Sequence, residues 1–241
     1  MIRLTIPACL LAAAISGISP LHAQNAAPAP PPPRVLAWDD MVAARELALV
    51  TPQDVIDFTG RMHPHKRTQL QRVRGGPLAI RALDRDPAPD GTPVQRTVQI
   101  PQGVTHPLLV LLPDDEHATG IRILVVDDNP AGFRWGAYRF LNTTGRELVV
   151  QLDDRAVRVP GNWRPVDINL GGETRGVGAR IALADAIERP LYSAIWEFNT
   201  DSRILCFLMP GDDPALSPVM IKAIPEDRLI LEAEAAAERG Q

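Results

Sequence analysis

Apolar positions along this 241-residue chain come in short runs of strand length, separated by residues that favour turns. From Glu46 onward the runs read ELALV, DVIDF, PLAIRAL, VQRTVQI, HPLLVLL, IRILVV, WGAYRFL, RELVVQL, RAVRV, ARIALA, YSAIWEF, RILCFLM and VMIKAI, many with β-branched or aromatic members. Such segments are too short for helices, and residues of this type fit a pleated, half-buried surface. With no helix-period segments between them, they predict an antiparallel sandwich or barrel.

Two links between runs carry turn chemistry. In WGAYRFLNTTGRELVVQL, Asn142 to Gly145 join two alternating segments, and Gly145 sits where a turn needs a residue at positive φ. This predicts a hairpin, with Asp153 and Asp154 leading on into RAVRV as a third strand. A second hairpin is predicted where NTDS joins YSAIWEF to RILCFLM. Period two puts Tyr192, Ala194, Trp196 and Phe198 on one face. The partner run is apolar on both faces from Ile204 to Met209, as in a central, doubly covered strand, and makes Cys206 a core thiol. Two segments read as helix: 37–47, capped by Asp39 or Asp40 with Val42 and Leu47 facing inward, and the Ala/Glu-rich stretch after Pro225.

The ends change the picture. Residues 1–23 carry Arg3, an apolar run from Leu4 to Ile18, Pro20 and a small residue at Ala23, the layout of a cleaved signal peptide. Its apolar run is shorter than the roughly 20 residues that span a bilayer, so no transmembrane segment is expected in the mature chain. Residues 24–33, QNAAPAPPPP, form a proline-rich spacer of extended geometry. The folded domain is expected over 34–226, followed by a helical or disordered tail at 227–241. Within it, DRDPAPDGTP at 84–93 is either a hairpin loop or a boundary between two β units. The hairpin is preferred because the piece before it is small for an independent core.

Export leaves Cys206 as the one cysteine, so stability comes from burial and not from an internal disulfide. The formal charge is −4, with lysine only at 66 and 222, which argues against a nucleic-acid partner.

Candidate chemistry is sparse. His63 and His65 flank Pro64 in MHPHK, and two imidazoles pointing the same way from a strand would begin a metal site. The competing reading is a solvated basic turn, since His106 and His117 stand in no ligand motif. The acid-rich VVDDNPAG departs from a calcium loop at Ala131 and at Tyr138. No serine lies in a nucleophile elbow, and GGETRGVG lacks a phosphate-loop lysine. Among the aromatic residues, Trp135 and Arg139 would share a strand face, and Trp163 follows a turn and precedes a proline. These three are the candidate ligand-binding residues, weighed against ordinary core packing.

The segments PLLVLLPDD, GAYRFLNTTGRELVVQL, YSAIWEF and RILCFLMPG resemble a group of bacterial exported β-sandwich proteins with no assigned function. The likeness lies in strand and turn patterns over about two-thirds of the chain, and it implies fold and location without transferring site residues. The expected fold class is all-β, an antiparallel immunoglobulin-like β-sandwich with short helical segments near the N-terminus and at the C-terminus. The expected function is a non-enzymatic binding or structural role in the periplasm, the cell envelope or outside the cell, with no cofactor. The partner would be an unidentified envelope or extracellular protein or glycan. A carbohydrate-binding or carbohydrate-acting domain and a small metal-binding protein are the alternatives.

Overall fold

A computed structural model describes residues 31–239. The predicted signal peptide and all but the last three residues of the spacer lie outside these. The first half contains β1 (Arg34–Ala37), α1 (Asp40–Ala43), β2 (Leu47–Val50), β3 (Val55–Asp57), β4 (Ala79–Ala82), β5 (Gln95–Thr97), β6 (Pro107–Pro113) and β7 (Ile121–Asp127). The second contains β8 (Ala137–Asn142), β9 (Leu148–Leu152), β10 (Arg155–Val159), β11 (Val166–Asn169), β12 (Arg175–Leu183), β13 (Pro190–Phe198), β14 (Ser202–Asp213), β15 (Ser217–Asp227) and α2 (Arg228–Arg239). Among the described residues strand makes up 45% and helix 6%, so the mostly-β reading holds, with one helix near each end. The helix expected over 37–47 is only the four residues of α1, since Ala37 ends β1 and Leu47 begins β2. Asp39 caps α1, accepting the Val42 N–H at 2.8 Å. Among the described residues no helix is long and apolar enough to cross a membrane.

The strands form four sheets, ordered β3-β2-β4-β5, β1-β6-β7, β11-β8-β14-β15 and β10-β9-β12-β13, and these stack as four layers in that sequence. The reason is written in which strands are apolar on one face and which on both. In β6, Leu109 and Leu111 meet Leu47, Leu49 and Ile80 of the first layer. On its opposite face, Leu108 and Val110 meet Leu141, Leu205 and Phe207 of the third layer. Strands β8 and β14 do the same one layer on, turning Phe140, Cys206 and Leu208 towards Val150, Leu152, Val177 and Ile181. The outer strand β9 alternates instead, with Leu148, Val150 and Leu152 buried and the residues between them only half-buried. Each fully buried Leu, Ile or Phe contributes about 1.5–3 kcal/mol relative to exposure. Stacking four layers creates three such interfaces without a crosslink.

Both predicted hairpins are corrected. β8 and β9 do not pair: β8 lies between β11 and β14, while β9 lies between β10 and β12 in the next sheet. The Asn142–Gly145 link is an arch across the core, although Gly145 does take φ +75°. β13 and β14 are likewise in different sheets, β13 pairing with β12 and β14 with β8 and β15. In both cases a strand buried on both faces follows or precedes an alternating one, and two such strands need different layers. The Asp153–Asp154 turn does close a hairpin, between β9 and β10. The 84–93 segment connects β4 and β5, which pair antiparallel. Two pairs, β1 with β6 and β8 with β14, are parallel, against the purely antiparallel expectation.

Candidate binding cleft

The residues singled out in the sequence fall at four separate places. Trp135 lies in the turn before β8, so it shares no strand face with Arg139; its ring stands 5.0 Å from the Arg203 guanidinium. Arg139, on β8, is buried, and its Nε and Nη2 each donate to Asp167 at 2.7 Å while Nη1 donates to the Asp127 carbonyl. Its guanidinium also covers Phe133 at 4.5 Å. Trp163 occupies a left-handed conformation (φ +65°), half-buried 5.9 Å from Trp38, with Arg122 5.3 Å above its ring. His63 and His65 are exposed in a turn, and His63 Nδ1 accepts the His65 N–H at 2.9 Å. Among the described residues no three His, Cys, Asp or Glu side chains gather as a metal site.

Sequence reasoning missed a buried charge cluster between the second and third layers. It joins Arg34 of β1, Arg67 of the 58–78 connection, Asp128 after β7, Arg203 of β14 and Glu226 of β15. Arg203, 2% exposed, donates through Nε and Nη2 to Glu226 (2.7 and 2.5 Å) and through Nη1 to the Asp128 and Phe133 carbonyls (2.9 and 3.1 Å). Phe133 and Trp135 lie against its guanidinium, each 5.0 Å away. Arg67 Nη2 donates to Asp128 at 3.2 Å, while its Nε lies 3.0 Å from the same carboxylate but out of line for a hydrogen bond. Burial pushes the Glu226 carboxyl up, but the guanidiniums of Arg67, Arg34 and Arg203 together hold it below its usual range. These donors are directed at protein oxygens. The cluster therefore fastens the two halves of the chain together and is not an anion receptor.

Among the described residues, an aromatic arrangement suited to a guest lies where the third and fourth layers part along one side. There the free edges of β13 and β15 flank a cleft of about 330 Å³, at the small end of ligand pockets. Tyr192 and Trp196 line it from β13, Tyr138 from β8, Ile204 and Cys206 from β14, and Ile221 from β15. Trp196 is half-buried, 5.6 Å from the Tyr138 ring and 6.1 Å from Tyr192, and its indole N–H donates to the Tyr192 hydroxyl at 3.0 Å. The Tyr138 hydroxyl donates to the Glu197 carbonyl at 2.7 Å. Burial raises the Tyr138 phenol to about 12 and pushes the Cys206 thiol up. Both stay protonated at neutral pH, so the cleft offers aromatic surface and neutral hydroxyls but no activated nucleophile. The alternation that puts Tyr192, Ala194 and Trp196 on one strand face was visible in the sequence. That this face borders an open side depends on β13 and β15 both being edge strands.

No protein-family model matches this chain. No curated protein is similar enough to count as a relative.

Proposed function

We propose that this chain is an exported, non-enzymatic binding protein of the cell envelope or extracellular space. Its body is a stack of sheets whose C-terminal pair, facing across an aromatic core, is the part suited to an immunoglobulin-like description. Its binding site is the cleft between β13 and β15. The observation that carries this reading is the half-buried Trp196 beside Tyr192 and Tyr138 in a hollow of about 330 Å³. Flat aromatic faces with hydroxyls at their edge suit a guest with one apolar face and a polar rim, such as a single sugar ring. The protonated thiol and phenol favour binding over chemistry. Export rests on the layout of residues 1–23.

Binding is tested by following tryptophan fluorescence while soluble glycans are titrated into wild type, Trp196→Leu and Trp163→Ala. Saturable binding that Trp196→Leu weakens at least tenfold, with an unchanged circular dichroism spectrum, is the expected result. Binding lost in Trp163→Ala and kept in Trp196→Leu would move the site to the Trp38–Trp163 pair. Turnover of a bound glycan would make the protein an enzyme. Export is tested by the mass of the protein recovered outside the cytoplasm, where an intact Met1 would refute cleavage.

A further inference from the structure

Among the described residues the four sheets have eight edges, and seven are short, covered, or broken by charge or proline along their length, which opposes pairing with another chain. β3 and β5 are three residues long and β11 is four. β1 is covered by the segment at Thr68–Gln71, whose N–H groups reach the Val35 and Pro33 carbonyls. β7 carries Arg122 and Asp127 and is met at the Ile121 carbonyl by Arg96. β10 carries Arg155 and Arg158, and β15 carries Pro218, Pro225 and Lys222. β13 spans nine residues, with Pro190 and Glu197 towards its ends and the Tyr138 hydroxyl at the Glu197 carbonyl, but from Leu191 to Trp196 it has neither charge nor proline, the longest such stretch on any of these edges.

Three further features sit on this edge. Ile195 projects from the outer face of the sheet, 76% exposed. Beside it, where β12 supplies Gly178 opposite Ile195, a shallow hollow of about 470 Å³ is lined by Gln151, Arg180 and Ser193. Arg180 and Glu197 lie on the same outer face and are exposed. Among the described residues neither has an ion-pair partner.

We infer that β13 is a self-association edge, pairing antiparallel with β13 of a second copy about a two-fold axis through Ile195. In that register Ile195 covers its own counterpart, Trp196 faces Ala194 of the other copy, and Glu197 faces Ser193. Arg180 is the cross-strand neighbour of Ser193. With strands about 4.8 Å apart, the Glu197 carboxylate of each copy then enters the other's hollow within reach of Arg180. The two-fold makes this contact twice, so each lone cation meets a lone anion. Only Tyr192–Phe198, where β13 keeps unbroken register with β12, takes part; the bulge before Tyr192 is not involved. The outer sheets of the two copies become one sheet of eight strands, and the β13 edge, which in the single chain borders the proposed binding cleft, is covered by the second copy.

The test is the mass in solution by light scattering and sedimentation across a concentration series, for wild type, Ile195→Lys, Glu197→Arg, and Glu197→Arg combined with Arg180→Glu. Wild type is expected at twice the mass of one chain. Both single variants are expected at the mass of one chain with unchanged melting temperature, since these side chains are exposed, and the charge-swapped double variant is expected to recover the dimer. A wild type that stays single up to its solubility limit overturns the inference. A dimer indifferent to Ile195→Lys and Glu197→Arg, or one the double variant fails to restore, overturns this surface and register.

Discussion

Replacing Glu226 by glutamine keeps the side-chain volume and removes one of two carboxylates from among three guanidiniums. The carboxylate is 5% exposed and accepts two hydrogen bonds from Arg203, at 2.7 and 2.5 Å, as well as one from Arg34. Breaking a buried ion pair by removing one partner costs about 3–5 kcal/mol, because the other charge stays buried without compensation. Here three cations would be left with Asp128 alone. For a domain of this size about 1 kcal/mol corresponds to roughly 2–4 °C, so Glu226→Gln is expected to lower the melting temperature by roughly 6–20 °C.

The pH dependence supplies an independent check. Glu226 is held below its unfolded value, so its contribution is complete above the ordinary glutamate range and is lost as pH falls through the depressed folded value. The gap between wild type and Glu226→Gln should stay constant above about pH 5 and narrow only below about pH 4, the region set by an unperturbed glutamate near 4.3. Differential scanning calorimetry from acid to neutral pH measures both. A gap under about 1 kcal/mol, as for an exposed ion pair, or one that persists unchanged in acid, would refute the assignment of a buried interlayer lock.

Two smaller perturbations test the arch and the histidine turn. Gly145 takes φ +75° and a methyl added there would meet open space, so Gly145→Ala should cost only the left-handed backbone strain of about 1–2 kcal/mol. A Cβ on Gly161 would lie 2.5 Å from the Gly145 carbonyl carbon and 2.6 Å from the Arg146 nitrogen, so Gly161→Ala should lower the urea midpoint more, and equal or reversed effects would misplace the arch. His63→Gln with His65→Gln should leave the melting temperature within the roughly 0.5 kcal/mol typical of surface changes, with or without added zinc. A zinc-dependent rise in wild type that the double variant abolishes would instead make the pair a metal site, since a ligand at a hundredfold excess over its Kd stabilises by about 2.7 kcal/mol.

How much was legible in the sequence can be judged from particular strands. Local chemistry acts over a few residues, so it was readable: the apolar runs became strands, Asp39 capped α1, Gly145 took positive φ and Cys206 was buried. β1 and β11, four residues each, were not read as strands: RVLA runs from the proline-rich spacer into the segment read as helix, and VDIN has only two apolar residues. The apolar character of RILCFLM on both faces correctly implied a strand covered on two sides. What it could not specify was the partner, because a short link such as Asn142–Gly145 closes a hairpin within one sheet or arches between two with the same residues.

The choice was made by the layers. β8, buried on both faces, belongs between two cores, and β9, alternating, belongs on the outside. The charge cluster was beyond reach for a related reason, since Arg34 and Glu226 stand 192 residues apart and only the stacking of β1 against β15 makes them neighbours. The cleft depended on the same long-range decision. Periodicity in the sequence determined that Trp196 shares a strand face with Tyr192; the packing of the layers decided that this face points inward. Only the placement of β13 and β15 at facing edges, where neither sheet has a further strand to close the gap, turned part of that inward face into a site open to solvent.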